Sequence, residues 1–218
     1  MRKLIALGIC LGVGVAAANL GYAEVKKGSK KKQAAAAKTV ATTPAPAKKS
    51  ANGLVIADFD SGTQPNNVGG KYGAWDKDPN DATQSAKASE VEPGYDGKGK
   101  ALKLTYDVDS PNPAYNGFWM KMEGQDASQY GKLTLYVKGD EKEGYTTKFK
   151  IELKNDTESA PYYVTNVSDN WEKIEIPVSE FTGITDWTKM TEFVIVFEDG
   201  QVTQKTGSIY VDQVAFEK

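Results

Sequence analysis

Three carboxylates are the residues best suited to bind a metal ion. Asp212 lies within an apolar stretch near the C-terminus, and Asp58 and Asp60 end another apolar stretch. An ionised carboxylate among apolar side chains is costly unless a cation or several hydrogen-bond donors meet it. Converging carboxylates repel each other, and Ca²⁺ binds carboxylate and carbonyl oxygens. We therefore predict a structural Ca²⁺ where two or three of these carboxylates converge, the alternative being a carboxylate capped by backbone N–H groups without a metal.

Two strands must position these carboxylates. Alternation in Gly207–Phe216 places Asp212, Val214 and Phe216 on one side and further apolar residues on the other, which predicts a strand buried on both faces. The stretch Leu54–Asp60 offers a partner strand. The first and last strands of the domain are thus expected to meet at the metal site.

Short apolar stretches separated by turn residues recur between these two strands. In Thr147–Lys154 the residues Phe149, Ile151 and Leu153 alternate with charged side chains, and no stretch has a sustained apolar period of 3.6. Roughly ten strands without a helix predict an all-β fold, an antiparallel β-sandwich of jelly-roll type. The other expected strands span residues 86–91, 101–108, 115–122, 132–138, 162–167, 171–176 and 193–197.

The first 23 residues have the pattern of an export signal. Arg2 and Lys3 precede an apolar run, and small residues precede the predicted cleavage point after Ala23. An uncleaved membrane anchor is the alternative. Cys10 is the only cysteine and lies in this run, and the chain has no histidine, so the mature protein is expected to lack thiolate and imidazole chemistry. We expect a periplasmic or secreted protein that is not an integral membrane protein once processed.

A Lys-rich segment separates the signal from one domain. Residues 24–52 are predicted to be a disordered tail rich in Lys, Ala and Pro, either a solubilising spacer or a contact for an anionic surface. Residues 53–218 suit a single domain with a full core. Residues 51–218 hold 17 Lys and 28 Asp and Glu, a net charge of −11, which disfavours nucleic acid as a partner.

The order and spacing of five motifs resemble a known family. The chain looks like carbohydrate-binding modules with the galactose-binding-like fold, and the nearest are the family 11 modules and the intermediate-associated protein 30 domains. The resemblance covers about residues 53–218 and implies the same β-sandwich. The motifs are Asp58–Asp60, Asn66–Gly70, Leu133–Gly139, Asn170–Pro177 and Ile209–Val214.

The resemblance implies two sites. Family members bind a structural Ca²⁺ through an acid after the first strand and an Asp in the last, which match Asp60 and Asp212. They hold a glucan chain by stacking flat rings on sugar C–H faces and hydrogen-bonding the hydroxyls. The positions that match ligand contacts are Trp75, Tyr115, Asp186 and Trp187.

Two other tryptophans are interpreted from their own strands. Trp119 alternates with Phe118 and Met120 and therefore faces away from the core, either as a sugar platform or under a loop. Trp171 begins a strand and is expected to pack in the core, because tryptophan is highly buried on average.

These observations together predict an exported, non-catalytic protein that binds a neutral polysaccharide such as a β-glucan. A negatively charged domain is expected to disfavour uronic acids. An envelope protein-interaction or assembly factor on the same fold is the first alternative. A glycan-processing enzyme is the second, although no paired arrangement of carboxylates along one strand face indicates it.

Overall fold

The computed structural model describes residues 49–50 and 53–218 of the chain, so the predicted signal peptide and most of the Lys-rich segment lie outside the described residues. The described residues form twelve strands and one 3₁₀ turn at Val178–Glu180. None of their helices is long and apolar enough to cross a membrane. The strands are β1 (Lys49–Ser50), β2 (Gly53–Ala57), β3 (Tyr72–Asp76), β4 (Ser85–Val91), β5 (Ala101–Asp107), β6 (Tyr115–Gln125), β7 (Lys132–Gly139), β8 (Phe149–Lys154), β9 (Ser159–Val164), β10 (Glu172–Pro177), β11 (Met190–Glu198) and β12 (Thr206–Glu217).

The strands form two antiparallel sheets. In the seven-stranded sheet, β12 pairs with β7 on one side and with β5 and then β2 on the other, while β4, β10 and β1 complete the edges. The five-stranded sheet has the order β3-β6-β11-β8-β9. This confirms the predicted all-β jelly-roll sandwich and the pairing of its first long strand, β2, with its last, β12.

The core fills the space between the inner faces of the two sheets. The alternation predicted for β8 is confirmed, because Phe149, Ile151 and Leu153 are all buried. Tyr106 of β5 stacks on Phe197 of β11 with 4.0 Å between ring centroids, which joins the two sheets directly. Burying side chains of this size contributes roughly 1.5–3 kcal/mol each.

A bulge in β12 changes the faces expected for its residues. Gln213 has φ of +50°, and the pairing register with β7 shifts between Asp212 and Ala215. The extra residue turns Val214 and Phe216 to the core face, while Asp212 stays on the outer face. The prediction that these three side chains share one face is therefore wrong, because strict alternation cannot cross a bulge.

The Gly-rich segment around Trp75 forms a strand that was not predicted. Residues Tyr72–Asp76 pair with β6 at the edge of the five-stranded sheet. Glycine and alanine at positions 73 and 74 give this segment weak strand propensity. Its conformation therefore depends on pairing with residues that lie forty or more positions away in the sequence.

Candidate functional site

One row of residues crosses the outer face of the five-stranded sheet. Neighbouring strands place these residues directly opposite one another, and residues two positions away share the same face. The row runs from β3 to β9 as Trp75, Gly117, Val196, Lys150 and Tyr163.

A groove of about 470 Å³ lies along this face. Trp75 and Tyr115 form one end, where their ring centroids are 5.8 Å apart and their planes are inclined by 64°. Tyr115 is 41% exposed, and the ammonium of Lys77 lies 5.0 Å from its ring centroid. Val194 and Val196 contribute to the floor. The groove therefore offers flat aromatic surfaces beside an apolar base.

Trp119 also lines the groove. It lies opposite Gly73 of β3, and a Cβ placed on residue 73 would be 3.5 Å from the Trp119 Nε1. The indole thus leans over the glycine backbone. The sequence left open whether Trp119 is a sugar platform or is covered by a loop. The structure places it in the groove, on the same surface as Trp75 and Tyr115.

Lysines and glutamates alternate along the other side of the groove. The ammonium of Lys150 lies 2.9 Å from Glu152 and 2.8 Å from Glu198, and that of Lys154 lies 3.3 Å from Glu192. Burial opposes the charge on Lys150, but these hydrogen bonds outweigh it and raise its pKa. Both lysines that line the groove therefore have carboxylate partners.

Tyr163 extends the surface beyond this charged series. Its side chain is 38% exposed, and its hydroxyl donates a hydrogen bond to Glu198 at 2.8 Å. Partial burial first, and then this hydrogen bond, raises the pKa of Tyr163. The tyrosine therefore stays neutral and holds one carboxylate at the edge of the groove.

The two residues predicted to bind Ca²⁺ lie at the other sheet, where Asp212 is on β12 and Asp60 is in the turn that follows β2. Asp212 is 2% exposed and accepts hydrogen bonds from the backbone N–H of Tyr95 at 2.9 Å and of Gln213 at 2.7 Å. Burial raises the pKa of Asp212 to about 6, and the negative charges of Asp60 and Asp58 add to the increase. No lysine or arginine among the described residues forms an ion pair with this carboxylate.

Oxygens converge beside this carboxylate. A Cβ placed on Gly94 would lie 2.5 Å from the Lys98 carbonyl, 2.9 Å from Asp212 Oδ2 and 3.2 Å from the Lys100 carbonyl. Asp60 Oδ1 accepts a hydrogen bond from the Lys100 N–H at 3.1 Å, so it borders the same turn. Carboxylate and carbonyl oxygens are the donor set that Ca²⁺ prefers.

No group of three or more His, Cys, Asp or Glu side chains within the described ranges is arranged to hold a metal ion. A calcium ion at Asp60 and Asp212 would therefore depend on backbone carbonyls for the rest of its shell. The site remains a prediction.

Comparison with known proteins identifies the family. Residues 41–192 match the family model described as carbohydrate binding domain (family 11). The chain belongs to this family. A comparison with curated proteins gave no match.

Solved structures of carbohydrate-binding modules, two of them from family 11, resemble this one. The family 11 module of the cellulosomal cellulase Lic26A-Cel5E of Clostridium thermocellum matches with a TM-score of 0.56 and 17% identity, covering 78% of this chain and 96% of that chain. A family 11 module from the same organism, in complex with a β-1,3-1,4-mixed-linked tetrasaccharide, matches with a TM-score of 0.58 and 18% identity over 77% and 97%. A non-crystalline cellulose specific module, CBM28, matches with a TM-score of 0.51 and 16% identity over 79% and 97%. At these identities the likeness shows a shared fold.

The four ligand positions predicted for this family 11 domain do not lie together. Trp75 and Tyr115 line the groove, whereas Asp186 and Trp187 lie in the loop before β11 and do not line it. The Trp187 ring lies 6.3 Å from Phe216, against the core. The single site expected from the sequence is therefore corrected, because this loop folds back onto the end of the sandwich.

Asp186 has a local structural role in the family 11 domain. It accepts hydrogen bonds from the Thr188 hydroxyl at 2.6 Å and from the Thr188 N–H at 2.9 Å. These bonds lower the pKa of Asp186. Its carboxylate therefore stabilises a turn rather than facing the groove.

Sequence reasoning did not assign several groove residues. Alternation already placed Trp119, Lys150 and Glu152 outward, but their common surface depends on the register of three strands. The sequence shows only that the adjacent Tyr162 and Tyr163 face opposite sides of their strand. Tyr162 packs on Phe181, so Tyr163 is the one that faces outward.

Proposed function

We propose that the groove of this family 11 domain binds a neutral β-glucan without cleaving it. The observation that carries the proposal is the grouping of Trp75, Tyr115 and Trp119 in one open groove. Flat rings stack on the apolar C–H faces of glucose units, and each such ring removes apolar surface from water. The relative in complex with a mixed-linked tetrasaccharide supports this class of ligand.

The paired charges of the groove favour a neutral ligand. Glycan hydroxyls both donate and accept hydrogen bonds, so they suit neighbouring groups such as Lys150 and Glu152. A charged sugar would have to break one of these ion pairs, and the side chain that loses its partner would be left without a counter-charge. The groove volume lies within the range of pockets that enclose small ligands.

The same pairing disfavours catalysis in the groove. A glycosidase needs one carboxylic acid that keeps its proton near neutral pH and a second carboxylate opposite it. Glu152, Glu192 and Glu198 each lie within 4 Å of a lysine ammonium. Each of these glutamates is thus engaged in an ion pair with a lysine. An assay for new reducing ends tests this, and turnover that is lost in Glu152→Gln would contradict it.

Binding is tested by calorimetry with a mixed-linkage β-glucan tetrasaccharide. Trp119→Leu keeps an apolar side chain but removes the flat ring, and we expect at least a tenfold weaker affinity, about 1.4 kcal/mol. Trp187→Leu is the matched control, and its affinity should stay within twofold as long as circular dichroism shows a folded domain. No binding by the wild type, or equal losses in both variants, would reject the groove.

Calcium and export complete the proposal. A structural Ca²⁺ at Asp60 and Asp212 would neutralise the buried carboxylate and tie β12 to the turn that ends at Lys100. The signal-like N-terminus supports a periplasmic or secreted location. The mass of the mature protein recovered from cells tests the predicted cleavage after Ala23, and an uncleaved chain would contradict it.

A further inference from the structure

A second cleft lies on the outer face of the seven-stranded sheet, on the other side of the sandwich from the groove. It has a volume of about 270 Å³, and Trp171, Tyr210, Lys103 and Lys138 line it together with residues 91–93. Lys103 lies opposite Tyr210 on the neighbouring strand, and Tyr210 lies opposite Lys138. We call this site the Trp171 cleft.

Trp171 forms a wall of this cleft and is not the core residue expected from the sequence. Its side chain is half-buried, and its ring centroid lies 6.3 Å from that of Tyr210 with planes inclined by 58°. The ammonium groups of Lys103 and Lys138 lie 5.5 and 5.9 Å from the Tyr210 centroid. The Tyr210 ring therefore lies near ammonium groups from both flanking strands. Trp171 adds a second flat ring beside it, and we take this indole as the ring that stacks on a ligand.

Two of the three charged side chains that line the Trp171 cleft are already compensated. Lys103 lies 3.0 Å from Asp140 and 2.7 Å from Glu143. Glu92 lies 3.9 Å from Lys100.

Lys138 has no carboxylate partner among the described residues. Its ammonium instead lies 5.9 Å from the centroid of the Tyr210 ring. The cleft therefore combines one uncompensated ammonium with one flat indole, whereas both lysines that line the groove are paired.

From this arrangement we infer that the Trp171 cleft binds a hexuronate unit of an acidic glycan. The apolar C–H face of the sugar stacks on Trp171, and its carboxylate pairs with Lys138. The small volume suits one sugar ring rather than a folded peptide. The carboxylates nearest the cleft, Glu92, Asp140 and Glu143, are held in ion pairs with Lys100 and Lys103. Charges farther than about 8 Å are screened at physiological ionic strength.

The cleft is separate from the groove and binds a negatively charged sugar, whereas the groove binds a neutral one. The protein would then hold a neutral glucan on one face and an acidic glycan on the other. A chain with both sites cross-links two polysaccharides.

Calorimetry with the full chain and a trigalacturonate probe tests the inference, with the carboxyl-reduced neutral trisaccharide as the matched ligand. We expect millimolar to high-micromolar binding of the uronate, and at least tenfold weaker binding of the reduced sugar. Lys138→Gln and Trp171→Leu should each weaken uronate binding at least fivefold. Lys87→Gln, which removes one exposed lysine from β4 of the same sheet, should leave it within twofold. Raising NaCl from 50 to 500 mM should weaken uronate binding several-fold.

Each other outcome overturns the inference. Equal binding of the reduced sugar, or no effect of Lys138→Gln in a variant with wild-type thermal stability, removes the charge argument. Equal binding of tri-glutamate would assign the cleft to acidic peptides. Loss of uronate binding in Trp119→Leu would place the ligand in the groove. Failure of neutral glucan binding would affect only the groove, so the two proposals are separable.

Discussion

Gly117 on β6 lies directly opposite Trp75 on β3, and it is the one position of that row without a side chain. On its other side it faces Val196, and a Cβ placed on residue 117 would lie only 2.0 Å from the Ile195 carbonyl oxygen. The close approach of β6 and β11 therefore requires glycine here. The same absence of a side chain keeps the groove open between the aromatic end and the charged series.

Replacing this glycine should destabilise the sandwich. We expect Gly117→Ala to lower the free energy of unfolding by about 1–3 kcal/mol, because the new methyl group meets backbone that cannot move without breaking strand pairing. Gly200→Ala is the control, since a Cβ there would have no heavy atom within 4 Å. Urea denaturation compares the two. A Gly117→Ala variant as stable as Gly200→Ala would show that the strands separate without cost.

Trp187 should contribute to stability more than to ligand binding. Its ring lies 6.2 Å from that of Phe181 and 6.3 Å from that of Phe216, so Trp187→Ala leaves a gap at the end of the core. We expect a loss of about 2–4 kcal/mol in the free energy of unfolding. Chemical denaturation measures it. A change below about 0.5 kcal/mol, the range of ordinary surface substitutions, would mean that the ring is not packed in solution.

Asp212 should make the metal-free domain less stable as pH rises. Burial raises the folded-state pKa to about 6 from 3.8, so the folded state binds the proton more tightly than the unfolded state does. Stability from this group is therefore fully present below about pH 4 and is lost as pH rises through 6, by on the order of 3 kcal/mol.

Calcium should reverse this loss. In EDTA, thermal melts at pH 7.5 should lie below those at pH 5, and added Ca²⁺ should raise the midpoint more at pH 7.5 than at pH 5. Asp212→Asn should remove both the pH dependence and the response to Ca²⁺. An identical midpoint with EDTA and with Ca²⁺ at pH 7.5 would leave the carboxylate capped by N–H groups alone.

Glu158 should have the opposite pH dependence. Hydrogen bonds from the Thr185 hydroxyl, the N–H groups of Thr185 and Asp186, and the Asn155 amide lower its pKa to about 2. The stability it contributes is present above its ordinary pKa of 4.5 and is lost as pH falls towards 2. Glu158→Gln should therefore lower the thermal midpoint at pH 7 and make little difference near pH 2. An equal effect at both pH values would show that the charge is unimportant.

Local patterns were enough to predict the sandwich. Alternation in β8 and in the residues around Trp119 identified core and outer faces, because each side chain of a strand points to the face opposite its neighbour's. Patterns failed where the backbone departs from regular pairing. The bulge at Gln213 reverses the faces that follow it, and the Gly73 segment becomes a strand only beside β6.

The sequence by itself determined the fold class, the number of aromatic side chains and the pairing of the first long strand with the last, which brings Asp60, just after β2, towards Asp212 on β12. Only the tertiary structure decided which rings share a surface. Trp119 joins Trp75 in the groove because β3 and β6 pair in one register, whereas Trp187 packs on Phe216 because its loop folds back onto the core. Strand alternation is a local property of the chain, but register and loop docking depend on contacts between residues far apart in sequence.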